Sequence, residues 1–360
     1  MDPKEPVKAA TIEYFRSPIT VKLVGAMPEP AVIVRADGRA TAANKPAFAL
    51  LPAIRIDEPF VLALRAPDVI DALKRVTEGG EAETVLWSER VPIERLFEVS
   101  VAPLDNGAGQ VVAALLTLRD LSEARRVERM RVDFIANASH ELRTPLASML
   151  GFIETLQGSA RDDARARDKF LVIMREQGRR MARLIDDLLS LSRIEQKQHV
   201  RPAAEVDLSQ TARHVADTLA PLAREMGVEI KLYAELPVVV TGDRDELLRV
   251  AENLIENAIK YGARQDGSGG DRVEITVTRN AAEGSLIVRD FGRGIAPEHL
   301  PRLTERFYRV DAGQSRAKNG TGLGLAIVKH ILARHRGRLT IASRLDHGST
   351  FTATVPLRQR

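Results

Sequence analysis

Between Phe170 and Leu191 the chain returns to one face at alternating steps of four and three residues: Phe170, Met174, Gln177, Met181, Leu184, Leu188 and Leu191. A mean step of 3.5 keeps such positions on one side of a helix, and six apolar members around one glutamine still make a coiled-coil seam. A helix carrying that seam must bury it. The preceding stretch supplies a partner through Phe134, Ala138, Met149, Ile153 and Leu156, and Gly158 to Asp163 reads as the turn between them. Two helices alone leave part of so long a stripe uncovered, so the expectation is an antiparallel hairpin that pairs with a second copy into a homodimeric four-helix bundle.

The text on either side of the hairpin is different. From about Ser17 to Leu121, Ala31–Arg35 runs into an Asp37-Gly38 turn, Leu96 to Pro103 alternates, and Val111 to Leu118 is a buried-strand pattern. Helical stretches are expected near Asn44–Leu51 and Asp68–Glu78, giving a small α+β module. From about Val206 onward, strands are expected at Val228–Ala234, Arg272–Arg279, Ser285–Asp290, Arg338–Ser343 and Thr350–Val355. Helices are expected at Asp245–Tyr261 and Leu323–His335, with a polar loop at Gln265–Gly270. The fold class is therefore multidomain α+β, with units at 17–121, 122–200 and 206–358, the last an α/β sandwich.

Composition narrows the chemistry. There is no cysteine among the 360 residues, which excludes disulfides, thiolate metal sites, cysteine nucleophiles and cysteine–flavin adducts. The net charge of +4 is a small difference between 53 basic and 49 acidic residues, and aromatics are only 4%, so direct nucleic-acid binding is not expected. The longest apolar run, Val111 to Leu116, is far below a membrane span. The chain as given reads as cytoplasmic, or as the inner portion of a membrane sensor whose spans lie outside it.

Four runs carry chemistry. Phe134 to Leu146 lies in the first long helix and contains Ser139-His140-Glu141-Leu-Arg-Thr144-Pro145-Leu146. Pro145 removes a helical hydrogen bond and should bend the helix just after His140. A neutral imidazole nitrogen is a competent nucleophile toward phosphorus, and Glu141 is placed to accept the proton of the other nitrogen. In Asn253-Leu-Ile-Glu-Asn257-Ala-Ile-Lys260-Tyr261 the two asparagines stand one turn apart, and Lys260 lies three residues on. Hard oxygen donors beside an ammonium suit a magnesium–polyphosphate group. Asp290-Phe-Gly292-Arg-Gly294 follows a strand, so a carboxylate and close backbone approach are offered to a flat ligand. Asn319-Gly320-Thr321-Gly322-Leu323-Gly324 opens into an apolar helix whose bare N–H groups can face phosphate. Read singly, each run has a plainer meaning: a surface histidine, a solvated helix face, a turn, a loop.

Together, in this order, they resemble the bacterial two-component sensor histidine kinases. The resemblance implies that His140 is the phosphoacceptor, that Glu141 activates it, and that Thr144 orients water to hydrolyse a partner's aspartyl phosphate. It assigns magnesium to Asn257 and Asn253, phosphate and base contacts to Lys260 and Tyr261, and the adenine amino group to Asp290 in the turn with Gly292 and Gly294. Gly320, Thr321, Gly322, Leu323 and Gly324 match the second glycine box. Glu305-Arg-Phe307-Tyr-Arg309-Val-Asp311 looks like the phenylalanine box of the family's lid, with Arg309 as the γ-phosphate clamp. ATP and Mg2+ are the implied cofactors, and the receiver domain of a response regulator the implied partner. Gyrase-like and chaperone-like ATPases share this nucleotide fold but carry a water-activating glutamate where Asn253 stands, so transfer to histidine is favoured over hydrolysis. Pro30 to Asn44 looks like the opening of a PAS domain, and since no histidine precedes His140, a His-ligated haem there is excluded. The whole resembles the phosphate-regulon sensor kinases. The competing class is a degenerate kinase used as a signalling scaffold, which the filled motif positions disfavour.

Overall fold

The structure, a computed structural model, describes residues 17–89, 95–107, 109–197, 199–262, 271–310 and 320–357. The expected loop Gln265–Gly270 and the motif residues Asp311 and Asn319 lie outside the described residues. The chain divides into two compact units, Met1–Asp133 and Phe134–Arg360.

The first unit is a five-stranded antiparallel sheet with helices. Its elements are α1 (Pro18–Gly25), β1 (Ala31–Arg35), β2 (Ala40–Ala43), α2 (Lys45–Leu50), α3 (Pro67–Thr77), β3 (Glu83–Glu89), β4 (Arg95–Asp105) and β5 (Val111–Asp120). The strand order is β2-β1-β5-β4-β3. Alternation in β4 and β5 sends Phe97, Val99, Val101, Leu116 and Leu118 into the core, against Val69, Ala72, Leu73 and Val76 of α3. Asn44, almost fully buried, caps α2 through the Ala47 N–H at 2.9 Å and accepts from Ala31 N at 3.0 Å. Its amide donates to Met27 O at 3.1 Å and Glu29 O at 2.8 Å, so one side chain fixes α2 to the start of β1. The edge strand β3 and the short α1 are additions to the sequence reading.

The helical text forms α4 (Ser122–Gln157) and α5 (Ala164–Gln196), joined where the turn was expected. Asp163 caps α5 by accepting from Arg165 N and Ala166 N. Within the second unit, the Phe152 and Phe170 rings pack at a tilt across the hairpin, 4.9 Å between centroids. The helical assignment of α4 continues through Pro145. The Thr144 hydroxyl donates to His140 O at 3.1 Å, one turn back. The seam divides along its length. Leu184 and Leu191 are buried in the same apolar cluster as Leu323, Ile327 and Ile331, with Leu188 packed against it, so the last three of its seven positions face the C-terminal fold.

That fold comprises β6 (Ala204–Asp207), α6 (Leu208–Glu225), β7 (Glu229–Tyr233), β8 (Val239–Gly242), α7 (Arg244–Gly262), β9 (Arg272–Arg279), β10 (Glu283–Asp290), α8 (Gly324–Arg334), β11 (Arg338–Arg344) and β12 (Gly348–Pro356). The main sheet runs β11-β12-β10-β9-β7, with β7 and β9 parallel and the other pairs antiparallel; β6 and β8 form a separate ribbon. In α7 the buried residues Leu247, Val250, Ala251, Leu254, Ile255, Ala258 and Ile259 recur at helical steps and cover the sheet. The strips beside them carry Asn253, Asn257 and Lys260. Among the described residues, no helix is long and apolar enough to cross a membrane.

His335 ties α8 to the start of α7. Its Nε2 accepts from Asp243 N at 3.0 Å and its Nδ1 lies 2.8 Å from Ile331 O, which together require the neutral ring protonated on Nδ1. Burial is the main force holding its pKa below the ordinary histidine value; the Ile331 hydrogen bond and Glu246 oppose it. A group with a depressed folded pKa that must stay neutral stabilises fully above its unfolded value. As pH falls below about 6.5 the unfolded chain takes up the proton first, and that stabilisation is lost. The melting temperature should fall between pH 7.5 and 5.5, and His335→Gln should flatten that dependence while lowering stability at neutral pH. An unchanged pH slope in the variant would refute the assignment.

Candidate functional site

The site lies where α7, the end of β10, the Phe307–Val310 segment and the N-terminus of α8 converge. Asp290 ends β10 and is buried, 5% exposed. Its Oδ1 accepts from Gly292 N at 3.0 Å and Ser349 N at 3.2 Å, which fixes the carboxylate plane. Burial pushes its pKa up, and these backbone donors pull against that shift. Gly262 and Gly292 let α7 and the Asp290 turn meet: a Cβ on Gly262 would lie 2.8 Å from Asp290 Cβ, and one on Gly292 would lie 2.8 Å from Gly262 Cα. Tyr261 at the end of α7 is half-exposed beside this turn, and Gly294 completes it with φ +68°.

Asn253 is oriented by its own helix. Its Nδ2 donates to Arg249 O at 2.8 Å, so Oδ1 faces the α8 N-terminus; a Cβ at Gly324 would collide with that oxygen. Glycine at 324 is thus what admits an amide oxygen to the helix end. Asn257 stands one turn further along the same face, and Lys260 pairs with Glu256 Oε1 at 2.6 Å. Asn253 sets one amide oxygen beside a helix N-terminus and Asn257 offers a second from the same helix face, a donor set that a magnesium-bound polyphosphate fits.

The glycine segment is joined to its surroundings. Phe307, with φ +63°, donates its N–H to Gly322 O at 2.8 Å. The Thr321 Oγ1 accepts from Leu323 N at 3.3 Å and donates to Asp187 of α5 at 2.7 Å. Arg249 of α7 donates to the same carboxylate at 2.7 Å. Arg309 Nη2 donates to Gly320 O at 2.8 Å and to Glu141 Oε2 at 3.1 Å. Glu141 also accepts from Arg180 of α5 at 2.9 Å. Arg306 pairs with Glu195 and lies 5.0 Å from the Phe134 ring, which packs 5.9 Å from Phe307. His140 itself is exposed on α4.

The runs read from the sequence are therefore brought together, and Arg309 reaches both the glycine segment and the residue after His140. The sequence reading did not single out Arg180, Asp187, Arg249 or Glu195. Arg180 and Asp187 are seven residues apart on α5, one face of a helix, but charged residues beside an apolar seam read as solvated until the surface they meet is known.

Family models match along the chain in the same order. Residues 24–126 match the PAS fold, 130–197 the His Kinase A (phospho-acceptor) domain, and 242–359 the histidine kinase-, DNA gyrase B- and HSP90-like ATPase. The chain carries the domain set of the two-component sensor histidine kinases. Among individual proteins, it is 40% identical over 238 residues to the phosphate regulon sensor protein PhoR of Pseudomonas aeruginosa, covering 66% of this chain and 53% of that protein. It is 33% identical over 270 residues to the sensor protein SrrB of Staphylococcus aureus, covering 73% and 44%. A solved structure of histidine kinase ThkA with response regulator protein TrrA aligns at 20% identity and TM-score 0.48, over 94% of this chain and 98% of that one. The chain spans about half the length of the curated relatives it matches.

The cleft makes a direct prediction. Asp290→Ala removes the buried acceptor and should weaken ATP binding at least tenfold while eroding the preference for ATP over GTP, since a carboxylate that reads an amine discriminates strongly. Calorimetric titration with both nucleotides measures this, and retained affinity with retained preference would place the pocket elsewhere.

Proposed function

We propose that the chain is an ATP-dependent protein-histidine kinase that phosphorylates His140 and passes the group to an aspartate on a response-regulator receiver domain. The observation that carries this reading is Arg309, whose guanidinium bonds both Gly320 and Glu141, linking the nucleotide cleft to the His140 helix. In the reaction, one ring nitrogen of His140 forms a P–N bond as the bond from the γ-phosphorus to the ADP oxygen breaks. The electron pair leaves with ADP, and the proton on the other ring nitrogen passes to Glu141. Asp290 orients the adenine, Lys260 and Tyr261 contact phosphate and base, and the glycine segment Gly320 to Gly324 cradles the phosphates. Asn257 and Asn253 would hold the magnesium ion, which when bound neutralises phosphate charge. Exposed apolar residues Leu146, Leu150 and Ile153 on α4, with Leu171 and Val172 on α5, support pairing with a second copy through the hairpin. Likeness to PhoR supports a place in phosphate-regulon signalling.

Incubation with γ-labelled ATP should give a label stable to alkali and lost in acid, as for a phosphohistidine. His140→Ala should abolish it with nucleotide binding intact, and Asn257→Ala should do so by removing a metal ligand. Histidine label persisting in His140→Ala would defeat the assignment.

The same site is read as a phosphatase toward its regulator. The Thr144 hydroxyl proton is directed at His140 O, which leaves the oxygen's lone pairs to accept from a water and aim it at an aspartyl phosphate. Thr144→Ala should keep autophosphorylation within about twofold and lose most of the dephosphorylation. Equal losses of both rates on one preparation would mean that Thr144 only supports the helix before Pro145.

A further inference from the structure

Glu141 is gripped from two sides, and the two grips differ. Arg180, across the hairpin on α5, donates to Oε2 at 2.9 Å, within the ordinary range for a charge-assisted hydrogen bond. Arg309 reaches Oε1 at 3.4 Å and Oε2 at 3.1 Å, both longer. The Arg309 Nε is buried with no hydrogen-bond partner among the described residues, so its fork is incompletely used against this carboxylate. Both guanidiniums are nearly buried, with side-chain exposures of 11% for Arg180 and 8% for Arg309, so neither is an incidental surface pairing. In this arrangement both oxygens of Glu141 already accept from guanidinium, and the clamp assigned to the γ-phosphate is occupied by protein.

Phosphoryl transfer needs both to change. If Arg309 turns to the γ-phosphate, Oε1 of Glu141 is released to take the His140 proton. A carboxylate left without any counter-ion would then swing freely on its flexible side chain. Arg180 bonds the other oxygen, sits on the opposite helix and does not compete for phosphate. We propose that Arg180 is a positioning residue for the transfer to His140: it holds Glu141 by Oε2 while Arg309 exchanges that carboxylate for the γ-phosphate of ATP. The inference rests on the kinase reading above, and it assigns to the second helix of the hairpin a part in the chemistry at the first.

The test uses the full chain and initial rates of His140 labelling over a range of ATP concentrations, for wild type, R180Q, R180K, E141Q and the R180Q/E141Q double variant. R180Q should lower kcat about tenfold with KM for ATP within about twofold, because misplacing the proton acceptor affects the chemical step and not nucleotide binding. R180K, which keeps a positive charge on a stem of similar length, should recover a large part of that loss. In the E141Q background R180Q should have little further effect, since Arg180 acts through Glu141. An unchanged kcat in R180Q would overturn the proposal. So would a loss in R180Q that adds in full to that of E141Q, or a R180K variant that folds with the wild-type melting temperature yet is as slow as R180Q. Absence of His140 label in the wild-type chain would instead refute the kinase reading itself, so the two failures are distinguishable.

Discussion

Burial of one continuous apolar cluster across α5 and the C-terminal fold sets the geometry of everything around the candidate site. Leu184, Leu191 and Ile194 are 3%, 0% and 5% exposed and share a core with Leu323, Ile327 and Ile331 from the glycine segment and α8. At about 1.5–3 kcal/mol for each large side chain removed from water, these three residues supply the larger share, because the partly buried ion pairs beside them lose hydration as they gain attraction. The apolar contact supplies the adhesion. The carboxylates Asp187, Glu195 and Glu141 lie beside it, and their pairing with Arg249, Arg306 and Arg309 selects one alignment of the surfaces over its neighbours.

That division of labour suits a machine that has to let go. An apolar contact carries no direction of its own, whereas a guanidinium–carboxylate bond is made or unmade by a particular alignment of donor and acceptor. Three of the anchored groups, Arg306, Arg309 and Thr321, belong to segments that carry the nucleotide motifs, so a ligand that competes for any one of them alters the hold of the hairpin on the fold, through α5 for Arg306 and Thr321 and through α4 for Arg309. The energy at stake is the difference between two sets of charge-assisted bonds, and ligand binding supplies changes of that size.

Much of this was legible in the sequence because the chemistry is contiguous there. His140, Glu141 and Thr144 fall within five residues, Asn253 and Asn257 within one helical turn, and Asp290 with its glycines within a single turn. Strong periodicity carried α4, α5, α7 and the long strands β4, β5, β9 and β10. The misses have physical causes. Pro221 interrupts the pattern of α6 as a breaker would, yet lies inside Leu208–Glu225 because that helix also gains from burying Ala212, Val215 and Ala216. β6 and β8 are four residues each and take their ladder from one another, across more than thirty intervening residues, with a single further bridge from Val240 to Leu357. Arg180 and Asp187 carry no local signature, since their partners lie 39 and 134 residues away.

Asn253 illustrates how one position can be read twice. In sequence it excludes the water-activating glutamate of related ATPases; in the structure its amide is held by Arg249 O and its oxygen faces Gly324. Glutamate at 253 could not donate to that carbonyl, and its longer side chain would carry an acid, one methylene further, into the space that glycine leaves open. Arg249 would feel the change too, because its guanidinium is committed to Asp187 and Ser190 of α5 and its carbonyl to Asn253. The choice of amide over acid therefore does two things at once. It withholds a general base from the cleft, and it fixes the backbone of α7 at the residue whose side chain grips the hairpin.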